Sequence, residues 1–272
     1  MSPSAGREPR TAAAALLTAA TDRLAPLEHR YQLAAWDLHT RESPEHQAAF
    51  EEAGIAYETA LADPELHGAA EEAEAAADDP VTRRSAEVLR LATAGKRRPP
   101  DLIERTVRLE SELTRIYGEH RAVVDGRRLS ANDVDEVLGS STDVAERRAV
   151  WEASKTVGAQ VDAPLRELVR LRNEAARALG HRDHYAMSLA LDEIDETWLF
   201  ELLDRLDAGL ADAWSAEKAA IDATRRERLG LPSDEPVQAW HLVDPFGQEP
   251  PSPADDPLRD VEATIDIEGV AR

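Results

Sequence analysis

Val150–Leu191 reads VWEASKTVGAQVDAPLRELVRLRNEAARALGHRDHYAMSLAL. Within it, Leu165, Leu168, Ala175 and Leu179 recur at helical spacing, which predicts a helix over Pro164–Leu179 with that face inward and Gly180 as its stop. GHRDHY then reads as a helix-ending loop, with His184 and Tyr185 starting the next segment. On the upstream side, Asp143 and Glu146 have the spacing of a capping pair for a helix running to Gly158. Ala, Glu, Arg and Leu dominate these turns and favour helix in water.

The same pattern extends in both directions. Thr11–His39 reads as a helix that Pro26 should kink or split. Ser43-Pro44-Glu45 is a helix start, Asp63-Pro64 a stop, and Asp79-Pro80 another start whose helix Gly95 and Pro99-Pro100 close. Asp101 opens an amphipathic helix carrying Leu102, Thr106, Leu109, Leu113 and Ile116. Asp125-Gly126 is a turn signal, and Ser130 with Asp133 caps a short helix ending at Gly139. Thr197–Leu229 is the longest helix, its Leu199, Leu202, Leu206, Leu210, Trp214 and Ile221 forming one apolar face. Pro232–Pro257 holds seven prolines and reads as extended or turning. Val261–Ile267 alternates with period two, the one strand-like piece. The expected class is all-α, about nine to eleven helices joined by short capped turns.

Composition narrows the function. A formal charge of −22 repels nucleic acid and anionic membrane surfaces. The chain has no cysteine, so disulfides and thiolate zinc sites are excluded; a reducing, cytoplasmic setting is expected. Nothing approaches the roughly 18 apolar residues of a membrane span. Aromatics are 4% of residues, so the core must rest on aliphatic side chains, with the five tryptophans as large anchors.

The eight histidines are followed by Arg, Thr, Gln, Gly, Arg, Arg, Tyr and Leu, so an H-E-x-x-H zinc helix is absent. No G-x-S-x-G, P-loop or Rossmann fingerprint is present. Trp240-His241-Leu242-Val243-Asp244-Pro245-Phe246 is the richest local constellation. Trp240, His241, Asp244 and Phe246 are the candidate substrate-cleft residues, set against a reading in which the aromatics are core anchors and Asp244-Pro245 is a turn. His181 and His184, three apart, form an alternative metal pair that would need His241 as a third ligand; a plain loop is the competing reading. Asp192-Glu193 and Asp195-Glu196 stand before a helix, where acids favour its positive end. No catalytic residue is assigned.

Three segments together resemble the N-terminal half of the angiotensin-converting-enzyme-like family of zinc peptidyl-dipeptidases: Tyr31–Thr40 (YQLAAWDLHT, followed by a helix ending in ALADPEL), Val150–Leu191, and Ala239–Pro250 (AWHLVDPFGQEP). More distantly the chain is similar to thimet-oligopeptidase-like helical metallopeptidases. The resemblance implies long helices around a deep cleft, the N-terminal ones forming a lid, with the zinc helix, a downstream glutamate ligand and the transition-state-binding residues in a C-terminal half. Gly247 departs from the family pattern, which has a second aromatic after Phe246, and the Val261–Ile267 alternation departs from its helical continuation.

These readings make 1–10 a disordered N-terminus, 11–251 a helical lid and cleft-wall domain, and 252–272 a non-native or truncated tail. The leading expectation is the N-terminal portion of a zinc peptidyl-dipeptidase, inactive alone and holding no cofactor, with zinc arriving only with the C-terminal half. Its expected partners are that half in trans and peptides. Two alternatives stand beside it: a non-catalytic helical peptide- or protein-binding module, and a different enzyme on the same scaffold.

Overall fold

Local capping chemistry sets the element boundaries of the computed structural model, which describes residues 8–248. Ser43 accepts the His46 N–H at 3.2 Å to open α2 (Pro44–Leu61). Asp63 accepts from Glu65 to open α3 (Pro64–Ala76), and Asp79 accepts from Thr82 to open α4 (Pro80–Ala94). Each has proline in its first turn, where the missing N–H costs nothing. α1 (Glu8–Thr40) precedes them and continues through Pro26 without splitting. α5 spans Pro100–Glu119.

A β-hairpin follows, which the sequence reading did not foresee. β1 (Ala122–Val124) pairs antiparallel with β2 (Arg127–Leu129) across Asp125-Gly126, both at positive φ (50° and 80°). That is the two-residue turn whose twist suits a hairpin. The strand expected at Val261–Ile267 lies outside the described residues. α6 (Ala131–Ser140) opens with the predicted Ser130–Asp133 capping box. Asp143 caps α7 (Val144–Ser154), while Glu146 accepts from the Ser141 hydroxyl instead of closing a box. The helix break falls at Lys155–Thr156, earlier than predicted, and α8 (Val157–Ala178) takes Pro164 into its interior. α9 (His184–Leu191) and α10 (Glu196–Leu229) complete the ten helices among the described residues, before one 3₁₀ turn, Ala239–His241.

The chain divides into two compact units. The first holds the residues up to Gly118 with Val161–Asp204; the second holds Glu119–Gln160 and the residues from Arg205 on. In the first, α1 packs on α3 and α4 through small side chains: Ala13, Ala73, Ala77 and Ala86 are buried against Leu16 and Leu17. Tyr31 stacks on Phe50 and Tyr57, and Gly54 lets α2 approach, since a Cβ there would sit 3.2 Å from the Tyr31 ring. Leu102, Leu171 and Ala175 join α5 to α8. In the second unit, Ala122, Leu129, Val134, Leu138 and Val150 pack the hairpin on α6 and α7.

Three expectations about burial fail. Leu165, predicted to face inward from α8, is 46% exposed. Leu206, Leu210 and Trp214, predicted to face inward from α10, are 48%, 58% and 59% exposed. Their spacing is helical and apolar, but no described element covers them. The tryptophans are not general core anchors either, because Trp36, Trp198 and Trp214 are all exposed.

The hairpin turn supplies a test. Gly126→Ala places a Cβ at φ 80°, where space is open but the backbone is strained. It should cost about 1 kcal/mol in urea unfolding, and Gly126→Asn should recover part of that loss.

Candidate functional site

The AWHLVDPFG stretch forms a tight ledge. Within the 3₁₀ turn the His241 N–H donates to the Gln238 carbonyl at 2.9 Å. His241 Nδ1 in turn accepts the Gln238 N–H at 3.0 Å. The imidazole proton therefore sits on Nε2, which is buried and has no hydrogen-bond partner among the described residues. Burial, opposed by Glu235 and helped by Arg147, holds His241 below the usual histidine range. Asp244 accepts the Phe246 N–H at 2.7 Å and closes the next turn. Gly247 has φ 71°, and a Cβ there would lie 2.8 Å from Leu242 Cδ1. Glycine suits that backbone, where a side chain would be strained.

Arg147 anchors the ledge. Its side chain is 1% exposed and has no carboxylate partner among the described residues. Nε donates to the Trp240 carbonyl at 2.9 Å and Nη2 to the Leu242 carbonyl at 2.7 Å. Nη1 donates to the Leu138 and Ser141 carbonyls at 2.7 and 2.8 Å. Four carbonyl dipoles take the place of a counterion, and burial lowers the guanidinium pKa from its ordinary value. The aromatic rings lie toward cations. Trp240 meets Trp151 edge-on at 5.9 Å with Arg148 over its face at 4.9 Å. Lys155 Nζ lies 4.4 Å from the exposed Phe246 ring and donates to the Pro245 carbonyl. Trp240, His241, Asp244 and Phe246 are thus brought together, with His241 and Asp244 buried, Trp240 half-buried and Phe246 exposed.

His181 and His184 belong to the other unit. The His181 N–H closes the end of α8 on the Ala176 carbonyl, with Gly180 at φ 88°. The His184 N–H donates to the Asn173 side chain at 2.9 Å, and Asp183 caps α9. His184 lines a cavity of about 690 Å³ with Glu58, Lys96, Arg98, Glu110 and Arg172. The acid pairs nearby are tied locally. Glu193 accepts both Arg84 Nη groups, Asp195 caps α10 at the Trp198 N–H, and Glu196 pairs with Arg182. Among the described residues, no three His, Cys, Asp or Glu side chains come together as a metal site. Within the same residues no helix is long and apolar enough to cross a membrane.

Sequence reasoning missed Arg147 and the charged cavity. Arg147 looks like any helix arginine, because its acceptors at Trp240 and Leu242 lie more than 90 residues away. The cavity left a fainter trace, the basic run Lys96-Arg97-Arg98 set between Gly95 and Pro99.

The family model described as angiotensin-converting enzyme matches residues 8–207. The chain belongs to the angiotensin-converting enzyme family. The matched span takes in Tyr31–Thr40 and Val150–Leu191 of this family member, while the Ala239–Pro250 ledge lies beyond it. No curated protein matches the chain.

Two measurements probe this geometry. Arg147→Met should leave one buried and three part-buried carbonyls short of a donor and cost about 3 kcal/mol in urea unfolding, far above a surface arginine change. The second concerns pH. Burial also depresses His67, whose Nδ1 sits 2.8 Å from the Thr93 hydroxyl. His67 and His241 have folded pKa values below their unfolded ones, so the unfolded chain takes up protons first as pH falls. Stability should be full above about pH 6.5 and fall below it, by up to about 1.4 kcal/mol per pH unit for each histidine. The depressed carboxylates Asp63, Asp133 and Asp183 act only at lower pH, and burial depresses His184 as well, so a His67→Gln/His241→Gln protein should lose much of the slope between pH 6.5 and 5 and keep the part that His184 contributes.

Proposed function

We propose that these residues form the substrate-enclosing, helical part of a peptidyl-dipeptidase-like metallopeptidase and carry no zinc chemistry of their own. The observation that carries the reading is the family match over 8–207 in a sequence where no histidine precedes a glutamate. Zinc hydrolysis needs a Lewis acid with an open position and a base beside its water, which the helix H-E-x-x-H supplies together. In this reading, residues outside these 272 supply them. His241 acts as a positioning residue rather than a base: its one free polar atom is a buried N–H, and its other ring nitrogen is committed to Gln238.

The exposed apolar side of α10 supports a covering partner. Leu206, Leu210 and Trp214 present the kind of contiguous surface that marks an interaction site. We assign it to the zinc-bearing remainder of the enzyme, whether joined or in trans.

The purified 272-residue chain, assayed with a blocked tripeptide and saturating zinc, should release no dipeptide above background. Chelator-sensitive turnover by this chain would overturn the reading. With a zinc-bearing C-terminal half from the same family added in trans, dipeptide release should appear, and Leu210→Glu should reduce it at least tenfold. Restored turnover that ignores Leu210→Glu would remove α10 from the docking surface.

A further inference from the structure

The charged cavity of the first unit has no role in the reading above, and its chemistry points to a ligand of its own. One face of α9 lines it, with His184, Met187, Ser188 and Leu191 at helical spacing. From His184 to Leu191 this row runs about 10 Å along the helix axis. α4 adds Val88, Leu91 and Ala92, and Gly95 lets the two helices approach, because a Cβ there would lie 2.5 Å from Leu191 Cδ1 and 3.8 Å from Met187 Cε. Val88 is 49% exposed, so apolar wall stands in water. The Ser188 hydroxyl is committed to the His184 carbonyl at 2.9 Å. A volume of about 690 Å³ falls in the range of sites that take small organic molecules.

The cations gather around His184. Burial holds this histidine below its usual range, with Arg172, Arg98 and Lys96 acting the same way and Glu110 against them, so all four lie within electrostatic reach of one ring. The Glu58 carboxylate serves two of the cations, one oxygen accepting from Lys96 Nζ at 2.6 Å and the other from Arg98 Nη2. Arg172 pairs with Glu110 at 2.7 Å. Three cations against two carboxylates leave one positive charge in excess. The Arg98 Nε–H and His184 Nδ1 are buried there without partners among the described residues. Lys96 and Arg172 are the cations open to a ligand, each side chain 37% exposed. The other charges of the lining do not neutralise the excess. Arg84 and Glu193 cancel each other through two hydrogen bonds, and α4 rises about 16 Å from Arg84 to Gly95, the neighbour of Lys96. Asp192 follows the last turn of α9, about 12 Å along the axis from His184, where salt screens most of its field. A surplus cation and two idle donors at the head of an apolar row match an anion with a hydrocarbon tail.

We propose that this cavity binds a medium-chain aliphatic carboxylate, its head group at Lys96 and Arg172 and its chain along Met187 and Leu191. As the ligand takes Lys96, Glu58 keeps Arg98, so no carboxylate of the protein is left unpaired. Beyond the head group the row along α9 is apolar apart from the committed Ser188, so the amide groups of a peptide would be left unpaired where methylenes are not. The site lies within one unit and needs no metal, so it stands whether or not the chain is part of an active peptidase. Each buried methylene contributes roughly fourfold in affinity, and a charged hydrogen bond about tenfold or more.

Calorimetric titration of the full chain in low-chloride buffer with sodium octanoate, sodium acetate, octanol and N-acetyl-leucine tests the site. Octanoate should bind. Acetate lacks the chain and should bind at least about a hundredfold more weakly. Octanol lacks the charge, and N-acetyl-leucine carries an amide in place of hydrocarbon, so each should bind at least about tenfold more weakly than octanoate. Lys96→Met should weaken octanoate binding at least about tenfold with the melting temperature unchanged, because Glu58 keeps Arg98. Val88→Glu, at an exposed position of the cavity wall, sets an acid beside the chain and should weaken binding as much; it keeps the test decisive if Lys96→Met fails to fold. Val123→Glu, on the exposed hairpin of the other unit, should leave binding unchanged. No binding of octanoate, or full binding by the folded Lys96→Met or Val88→Glu protein, would overturn the proposal. So would equal affinity for acetate, which marks a plain anion site, for octanol, which marks an unspecific apolar surface, or for N-acetyl-leucine.

Discussion

A buried arginine without a counterion organises the second unit. Taking a guanidinium out of water costs several kcal/mol, and only well-directed hydrogen bonds offset it. Arg147 recovers that cost from four carbonyls, two at the α6–α7 connection and two on the Trp240–Leu242 turn. The bonds run both ways in effect. The arginine cannot be buried unless the ledge closes over it, and the ledge, whose segment is rich in proline and poor in regular structure, has few backbone partners without the arginine. The orientation of His241, and the face that Trp240 offers to Trp151 and Arg148, follow from this constraint.

The two kinds of information in the sequence fared differently for a physical reason. Caps are local: Ser43, Asp79, Ser130 and Asp143 each satisfy an N–H two or three residues on, so residue type and spacing suffice to find them; Asp63, read as a stop, and Asp183, not read as a cap, do the same. The hairpin was also written locally, in Asp125-Gly126 flanked by Ala122, Val124 and Leu129. It was passed over because three-residue strands are too short for alternation to stand out. Periodicity is a weaker guide than capping. The stripe on α10 identified a helix and its apolar side correctly, yet period alone says nothing about whether a neighbour covers that side. The pairing of Arg147 with the ledge and of Glu58 with Lys96 and Arg98 was illegible, because these partners are tens of residues apart and a paired arginine is spelled like a solvated one.

Family membership and chemistry also separate in this chain. The matched residues are helix faces, caps and turns, which is to say the means of building a scaffold. Scaffold likeness does not carry function by itself. Function has to be argued from the sites, and the described residues contain two very different ones. The ledge presents a neutral histidine with one ring nitrogen committed to Gln238, and aromatic rings already facing protein cations. The cavity presents donors with nothing to donate to.

That contrast decides which arginines are open to a ligand. Arg147 has spent its donors on fixed carbonyls, and no rearrangement short of unfolding the ledge would free them. Arg98 shares one side-chain carboxylate with Lys96, so an incoming anion can take over either cation while Glu58 keeps the other. The exchange replaces one charged hydrogen bond with another and desolvates nothing further at the Arg98 Nε–H and His184 Nδ1, which are already out of water; the incoming anion has to shed its own water. A cation held by backbone serves structure. A cation held by a shared side chain beside idle donors is arranged for exchange, and in this protein that arrangement occurs where the chain also leaves a chamber of about 690 Å³ open.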